Sequence, residues 1–266
     1  MSPFLHELLF VFLLLINAST MCALSNSNYK FLIPKKIKIK NAIISVAAYI
    51  TINTCPFYNN AYSFDNAIKH VDTPKSHGPK PNNLGINSNK MLRYCLKPSP
   101  NCFSTSPEQY VDGNWLDENE QTIHQIPLWT YDIKKWSPDD AFMKIVDVFR
   151  AYEPGHDNID GGGFNIVTTD KNKRYIYVQY ESLKRGYIDD VEVLVNEDGT
   201  IQVASASRLG YLDYQVNAKR LNYIAAKLKS IDGFGASEIT ELSHPIYFES
   251  NVIFEGPKLG LGTKSY

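Results

Sequence analysis

Between Phe10 and Ser63 the chain has no aspartate and no glutamate, an absence that organelle transit segments share. Its apolar runs Leu8–Ile16 and Ala42–Ile52 fall well short of the roughly 20 residues needed to cross a bilayer. Cysteine is scarce: Cys22 and Cys55 lie in the N-terminal stretch, leaving Cys95 and Cys102 in CLKPSPNC. Two cysteines cannot build a structural zinc site, which takes four ligands. Excess positive charge is missing as well. The whole chain carries 27 Lys and Arg against 28 Asp and Glu; without residues 1–63, which hold five Lys and one Glu, the balance is 22 against 27, a net charge of −5. That balance argues against nucleic acid and anionic membrane surfaces as partners.

What the N-terminal stretch does contain is ordered. The run LLFVFLLLI ends at Asn17, Ala18 and Ser19; the basic patch Lys35-Lys36-Ile37-Lys38-Ile39-Lys40 follows, then the second apolar run and the small-residue site Ala61-Tyr62-Ser63. Both runs have the length of a secretory signal's apolar core. Two such signals in series around an acid-free basic segment resemble the multipartite leaders of plastid proteins in algae that acquired their plastid by secondary endosymbiosis. The expectation is a leader over 1–63, cleaved near Ser63, that delivers the protein to a thylakoid lumen with no transmembrane span in the mature chain. A single uncleaved anchor followed by a basic linker is the competing reading.

Residues 64–90, rich in Asn, Lys and Pro, have no apolar periodicity and read as a linker or arm. A loop-rich segment surrounds the cysteine pair, which is expected either to form one short disulfide, as exported proteins do, or to remain two thiols. A short strand is expected within Ile126–Tyr131. Ser137-Pro138-Asp139-Asp140 starts a helix whose apolar stripe is Phe142, Ile145, Val146 and Phe149. Strands Phe164–Thr168 and Tyr175–Glu181 pair across Asp170–Lys173. Val191–Val195 and Ile201–Ser205 form a hairpin with an Asp198-Gly199 turn. A last helix, about Gln215–Leu228, lines up Asn217, Leu221, Ile224 and Leu228. The fold class is α+β: an antiparallel sheet of about four to six strands with two main helices on one face, as a single domain over 91–230. The extension 231–266 contains two strand-like pieces, PIYFES and NVIFEG, before a Gly-rich end.

Two motifs resemble the domain-of-unknown-function 1499 family. The first is Ser99-Pro100-Asn101-Cys102 followed by Phe103-Ser104. The second is Asp189-Asp190-Val191-Glu192, Ile201-Gln202-Val203, Ser205-Ala206-Ser207-Arg208-Leu209-Gly210-Tyr211, then Asp213, Asn217 and Arg220. Ala204 stands where the family usually has arginine. The resemblance covers about residues 92–229 and implies a secreted or organellar globular module; it implies no established reaction.

If Asp198-Gly199 is a two-residue loop, Asp189 faces Arg208, Asp190 faces Ser207 and Glu192 faces Ser205. Asp190, Glu192, Ser205 and Ser207 then share one face, with Asp189 and Arg208 on the other. The shared face could take a ligand, its two carboxylates acting as acid and base. Alternatively the same groups cap the last helix from Asp213 and lock it to the hairpin, with Arg208 or Arg220 forked onto a carboxylate. A face covered by the helices means structure; a face open to a pocket means a ligand.

Catalytic templates are absent. The chain has no G-x-S-x-G and no H-E-x-x-H, and the histidines at 70, 77, 124, 156 and 244 are scattered and read as solvated loop residues. Gly260–Ser265 lacks the order of a phosphate loop, and Asp157 and Asp160 before Gly161-Gly162-Gly163 miss the acid spacing of a calcium loop and read as a flexible turn. No catalytic residue, cofactor or metal is expected. The leading expectation is an accessory or assembly partner of a photosynthetic complex in the thylakoid membrane. A small-molecule or lipid-binding module is the alternative, and a hydrolase-like enzyme using Asp190 and Glu192 the third reading.

Overall fold

The computed structural model describes residues 63–71, 73–97, 99–110 and 122–252. The leader, Ser63 apart, the rest of NVIFEG beyond Val252, and Gly260–Ser265 lie outside the described residues. In chain order the elements are β1 (Leu96–Lys97), β2 (Cys102–Ser104), β3 (Gln109–Tyr110), β4 (Trp129–Tyr131), α1 (Pro138–Arg150), a 3-10 turn (His156–Asn158), β5 (Gly163–Asp170), β6 (Tyr175–Glu181), β7 (Ile188–Val195), β8 (Thr200–Ser207), α2 (Val216–Lys229), β9 (Phe234–Gly235) and α3 (Pro245–Val252).

Helix α1 starts as its sequence dictates. Ser137 Oγ accepts the Asp140 N–H at 3.1 Å, Pro138 fills the first position, and Asp139 and Asp140 sit in the first turn. The stripe Phe142, Ile145, Val146 and Phe149 is buried, as is that of Asn217, Leu221, Ile224 and Leu228 on α2. Both helices cover one face of an antiparallel sheet ordered β5-β6-β7-β8-β4-β9, with β2 as a seventh strand beside β8. Strands β1 and β3 form a separate parallel pair.

The sheet is covered on both sides. Along β6, Ile176, Val178 and Tyr180 join the helices in the main core, while Tyr175 and Tyr177 point the other way and meet Leu194, Ala204 and Leu92, with Leu84 and Ile86 packed against them. The segment 64–90 is therefore laid across the sheet's second face. Asn66 also clasps the β5 edge: its side-chain amide accepts the Phe164 N–H at 2.8 Å and donates to the Phe164 carbonyl at 3.0 Å. The arm and the described residues after 230 fall in the same compact unit as the domain between them.

Two expectations change. The PIYFES piece is the start of helix α3, not a strand; Pro245 opens the helix, a position that needs no N–H. The β7–β8 turn holds three residues, because Asn196 and Thr200 close it through an N–H···O bond of 2.9 Å and Gly199 takes φ +89°. A three-residue hairpin of this kind needs a left-handed residue at its third position, which glycine supplies. Every partner then shifts by one: Asp189 pairs with Ser207, Asp190 with Ala206 and Glu192 with Ala204. A one-residue slip moves side chains to opposite faces. Thus Asp190 and Glu192 do not share a face with Ser205 and Ser207.

Candidate functional site: a buried polar frame behind an exposed tyrosine loop

On the helix-covered face the centre is Arg220, fully buried in the second turn of α2. Its guanidinium forks onto Asp160 (Nε to Oδ2 2.8 Å, Nη2 to Oδ1 2.5 Å), reaches Asp189 Oδ2 at 2.7 Å and donates to Asn217 Oδ1 at 3.0 Å. It also lies over the Tyr180 ring, 4.6 Å from the centroid. Tyr152 donates its hydroxyl to Asp160 at 2.5 Å. One arginine thus pairs with two carboxylates, and paired, hydrogen-bonded charge is the kind a buried site tolerates. Burial pushes the Asp189 carboxyl above its ordinary range, against the pull of the Arg220 charge.

Asn217 connects this cluster to the start of α2. Ser205 Oγ donates to its Oδ1 at 2.5 Å, and its Nδ2 faces Asp213 Oδ2 at 2.7 Å, Ser207 Oγ at 3.1 Å and the Asn101 carbonyl at 3.1 Å. Asp213 caps the helix from three residues before Val216: its carboxylate accepts the N–H groups of Gln215 (3.1 Å) and Asn217 (3.0 Å) and the Tyr247 hydroxyl. Burial raises the Asp213 carboxyl too. The N-cap position itself is held by Gln215, whose side chain makes no cap bond, so Asp213 serves the helix start from two residues before that place, while Arg220 forks onto Asp160.

On the opposite face Arg208 forks onto Asp190 with two contacts of 2.8 Å, and Tyr177 donates to the same carboxylate at 2.5 Å. Burial, with the Asp190 bond, pushes the Tyr177 hydroxyl up to about 12. Glu192 accepts the Tyr175 hydroxyl and the Gly85 N–H, each at 2.6 Å, and pairs with Arg93 at 3.1 Å. Burial raises its carboxyl. Glu181 pairs with Lys75 at 2.5 Å. The 64–90 segment and the residues just after it therefore carry the counter-ions and donors of this face. Arg208 belongs with Asp190, not with Asp189 as a two-residue turn would require.

Between the two clusters runs the loop 208–215, which both hold. Gly210 accepts Asn101 Nδ2 at 2.6 Å, Ser99 Oγ reaches the Tyr211 carbonyl at 3.4 Å, and the Tyr214 N–H binds Asn251 Oδ1 at 2.8 Å. Tyr214 (φ +55°) and Gln215 (φ +66°) are consecutive left-handed residues that are not glycine. Such backbone persists only where the surroundings over-determine it, and it clusters at functional segments. The side chains of Tyr211 and Tyr214 nonetheless stand 56% and 55% exposed. Tyr187, 42% exposed, is at the same end of the hairpin, because the Arg208 N–H bonds the carbonyl of neighbouring Ile188.

Several contributors were not legible as site residues. Asp160, expected in a flexible turn, is buried on Arg220; the glycines after it allow close approach, since a Cβ at Gly162 would sit 2.8 Å from the Glu181 carbonyl oxygen. His124 and His244 are buried, not solvated. His124 pairs through Nδ1 with Glu108 and through Nε2 with the Ser99 carbonyl at 2.7 Å. Although burial alone would raise the Glu108 carboxyl, the bond and charge of His124 and the Ile123 N–H hold it below the ordinary value. Cys95 and Cys102 are joined as a disulfide, Cα atoms 5.8 Å apart.

His244 gives a pH prediction. Its Nε2 faces the Gln125 carbonyl at 3.0 Å, its ring meets Phe103 edge-on, and burial holds its pKa below the usual 6.5. A histidine depressed in the folded state takes up more protons when unfolded, so its contribution to stability is complete above pH 6.5 and falls as pH drops through the folded value. The raised carboxyls Asp189, Glu192 and Asp213 act with the opposite sign. Urea unfolding at pH 7.5 and 5.5 is expected to show that His244→Gln removes the histidine's share of the acid loss; an identical pH difference in variant and wild type would assign that loss elsewhere.

Two surface depressions, about 600 and 370 Å³, are lined by residues such as Asn66, Arg150 and Phe164 and by Lys144, Glu153 and Lys227. Neither is lined by a residue of the two sequence motifs. Among the described residues no His, Cys, Asp and Glu side chains group as a metal site, and no helix is long and apolar enough to cross a membrane. A protein-family profile described as a protein of unknown function (DUF1499) matches residues 92–228, more than half of the chain. No curated protein and no solved structure matches.

Proposed function

The chain belongs to the DUF1499 family of proteins of unknown function, and from that premise we propose that it works as a non-catalytic accessory or assembly partner of a photosynthetic membrane complex in the thylakoid lumen of a plastid. The observation that carries this reading is the use made of the motif residues. Asp190, Glu192, Ser205, Asn217 and Arg220 are fully buried and bonded to one another or to their neighbours. What the frame fixes, and leaves exposed, is a rigid loop bearing two tyrosines.

Tyrosine suits a protein partner. It offers a large apolar face and a hydroxyl for few rotatable bonds, and it is enriched among the residues that dominate binding energy. Functional residues sit characteristically on loops held by a rigid scaffold. The leader pattern in 1–63 supports the address, and the net charge of −5 without it supports a protein rather than a nucleic-acid partner.

The test is a native gel of gently solubilised plastid membranes, read by mass spectrometry. Co-migration with a large photosynthetic complex is the expected result and would name the partner. Migration as a free monomer would overturn the proposal and direct attention to small-molecule ligands.

A further inference from the structure

The short disulfide loop lies against the back of the tyrosine loop, and the contacts between them are specific. Asn101 donates to the Gly210 carbonyl at 2.6 Å, and its own carbonyl accepts the Ser207 N–H and Asn217 Nδ2, each at 3.1 Å. Ser99 Oγ reaches the Tyr211 carbonyl, while the Ser99 carbonyl accepts His124 Nε2 at 2.7 Å. The Pro100 carbonyl accepts Asn251 Nδ2 at 3.2 Å, and the same Asn251 holds the Tyr214 N–H. Three consecutive residues between the cysteines therefore fasten both ends of the exposed loop.

We propose that the Cys95–Cys102 disulfide is a redox latch on the tyrosine loop: the oxidised protein presents Tyr211 and Tyr214 in fixed positions, and reduction releases them. The inference rests on the reading of loop 208–215 as the docking surface. With the bond intact, Ser99, Pro100 and Asn101 are tied close to Cys95 through Cys102, which restricts their conformational freedom. Without it, Asn101 remains next to paired strand β2, but Ser99 and Pro100 lose the closure that aligns them with Tyr211 and Asn251.

The reductant is a dithiol. One of its thiolates attacks a protein sulfur and breaks the S–S bond to give a mixed disulfide. Its second thiolate resolves that bond and leaves the reductant oxidised. Two electrons and two protons pass to the protein, and Cys95 and Cys102 end as thiols. Both cysteines are buried, so exchange proceeds through local opening around Ser99, Pro100 and Asn101, the same motion that frees the tyrosines.

The test uses isolated protein, so it does not depend on any partner. Amide exchange is followed by mass spectrometry in oxidised protein and in protein reduced with dithiothreitol and alkylated to show that both thiols are free. Exchange is expected to speed up by about tenfold or more at 207–214 and 245–251, with 175–181 and 188–195 unchanged. Reoxidation before alkylation should restore protection, and Cys95→Ser with Cys102→Ser should exchange like reduced protein under either condition. Unchanged exchange at 207–214 after complete alkylation would overturn the latch, as would a uniform loss of protection across the sheet. A released loop with no complex on the native gel would instead keep the latch and reject the docking surface.

Discussion

Arg220→Ala is expected to lower stability by about 3–5 kcal/mol, the cost of leaving a buried ion cluster without its counter-charge. The argument is geometric. Arg220 is the partner of both Asp160 and Asp189, with contacts of 2.8, 2.5 and 2.7 Å. Its removal leaves two carboxylates facing each other in a site where burial already disfavours the Asp189 charge. It also removes the cation from the Tyr180 face and a donor from Asn217. For a domain of this size that loss corresponds to a fall of roughly 10 °C in Tm. Arg220→Lys should recover only part of it, because a point charge cannot fork onto Asp160 while reaching Asp189. Urea titration of the two variants checks both statements; a cost below about 1 kcal/mol for Arg220→Ala would show that the cluster does not support the fold.

The second large effect concerns binding. Tyr211→Ala with Tyr214→Ala should cost no more than about 1 kcal/mol of stability, far less than Arg220→Ala, as expected for changes at side chains more than half exposed. It should weaken association with the partner by about 100-fold, the loss expected from truncating anchor residues. Both side chains are more than half exposed, whereas the backbone contacts that shape the loop come from Asn101, Ser99 and Asn251. The pair of results separates a docking surface from a structural one. Native gels of membranes from cells carrying the variant, beside a thermal melt of the purified protein, provide them.

Much of this architecture could be read from residues alone. The Ser137-Pro138 helix start, the period-two strands and the α2 stripe are local signals, and each folds as its pattern dictates. Of the second motif's residues, Asp189, Ser205, Ser207, Asp213, Asn217 and Arg220 meet on one face, and Asp190, Glu192 and Arg208 lie on the other. Their partition was misread for a single physical reason. Asp-Gly fits both a two-residue and a three-residue hairpin, and the choice of three exchanges the faces of every side chain on β7 relative to β8. Asp189 therefore meets Arg220 instead of Arg208.

Other contributors lacked any local signal. Asp160 is placed by close packing of the glycine turn against Glu181, a contact made across sequence. Lys75 comes from a segment without periodicity and Arg93 from the loop-rich stretch that follows it, and ion pairs to β6 and β7 fix their positions. The apolar and aromatic residues of PIYFES match a strand as well as a helix. Tyr247 and Asn251, four apart on α3, make sense together only once Asp213 and the Tyr214 N–H are seen beside them.

The central claim is that the motif residues serve as a frame for the tyrosine loop. Asn217→Ala tests it most directly, because Asn217 joins Ser205, Ser207, Asp213, Asn101 and Arg220. Amide exchange should accelerate across 208–215 in this variant, while β6 and the centre of β7 keep wild-type protection. Wild-type exchange rates at 208–215 would contradict the account, since the motif would then be holding something other than the loop.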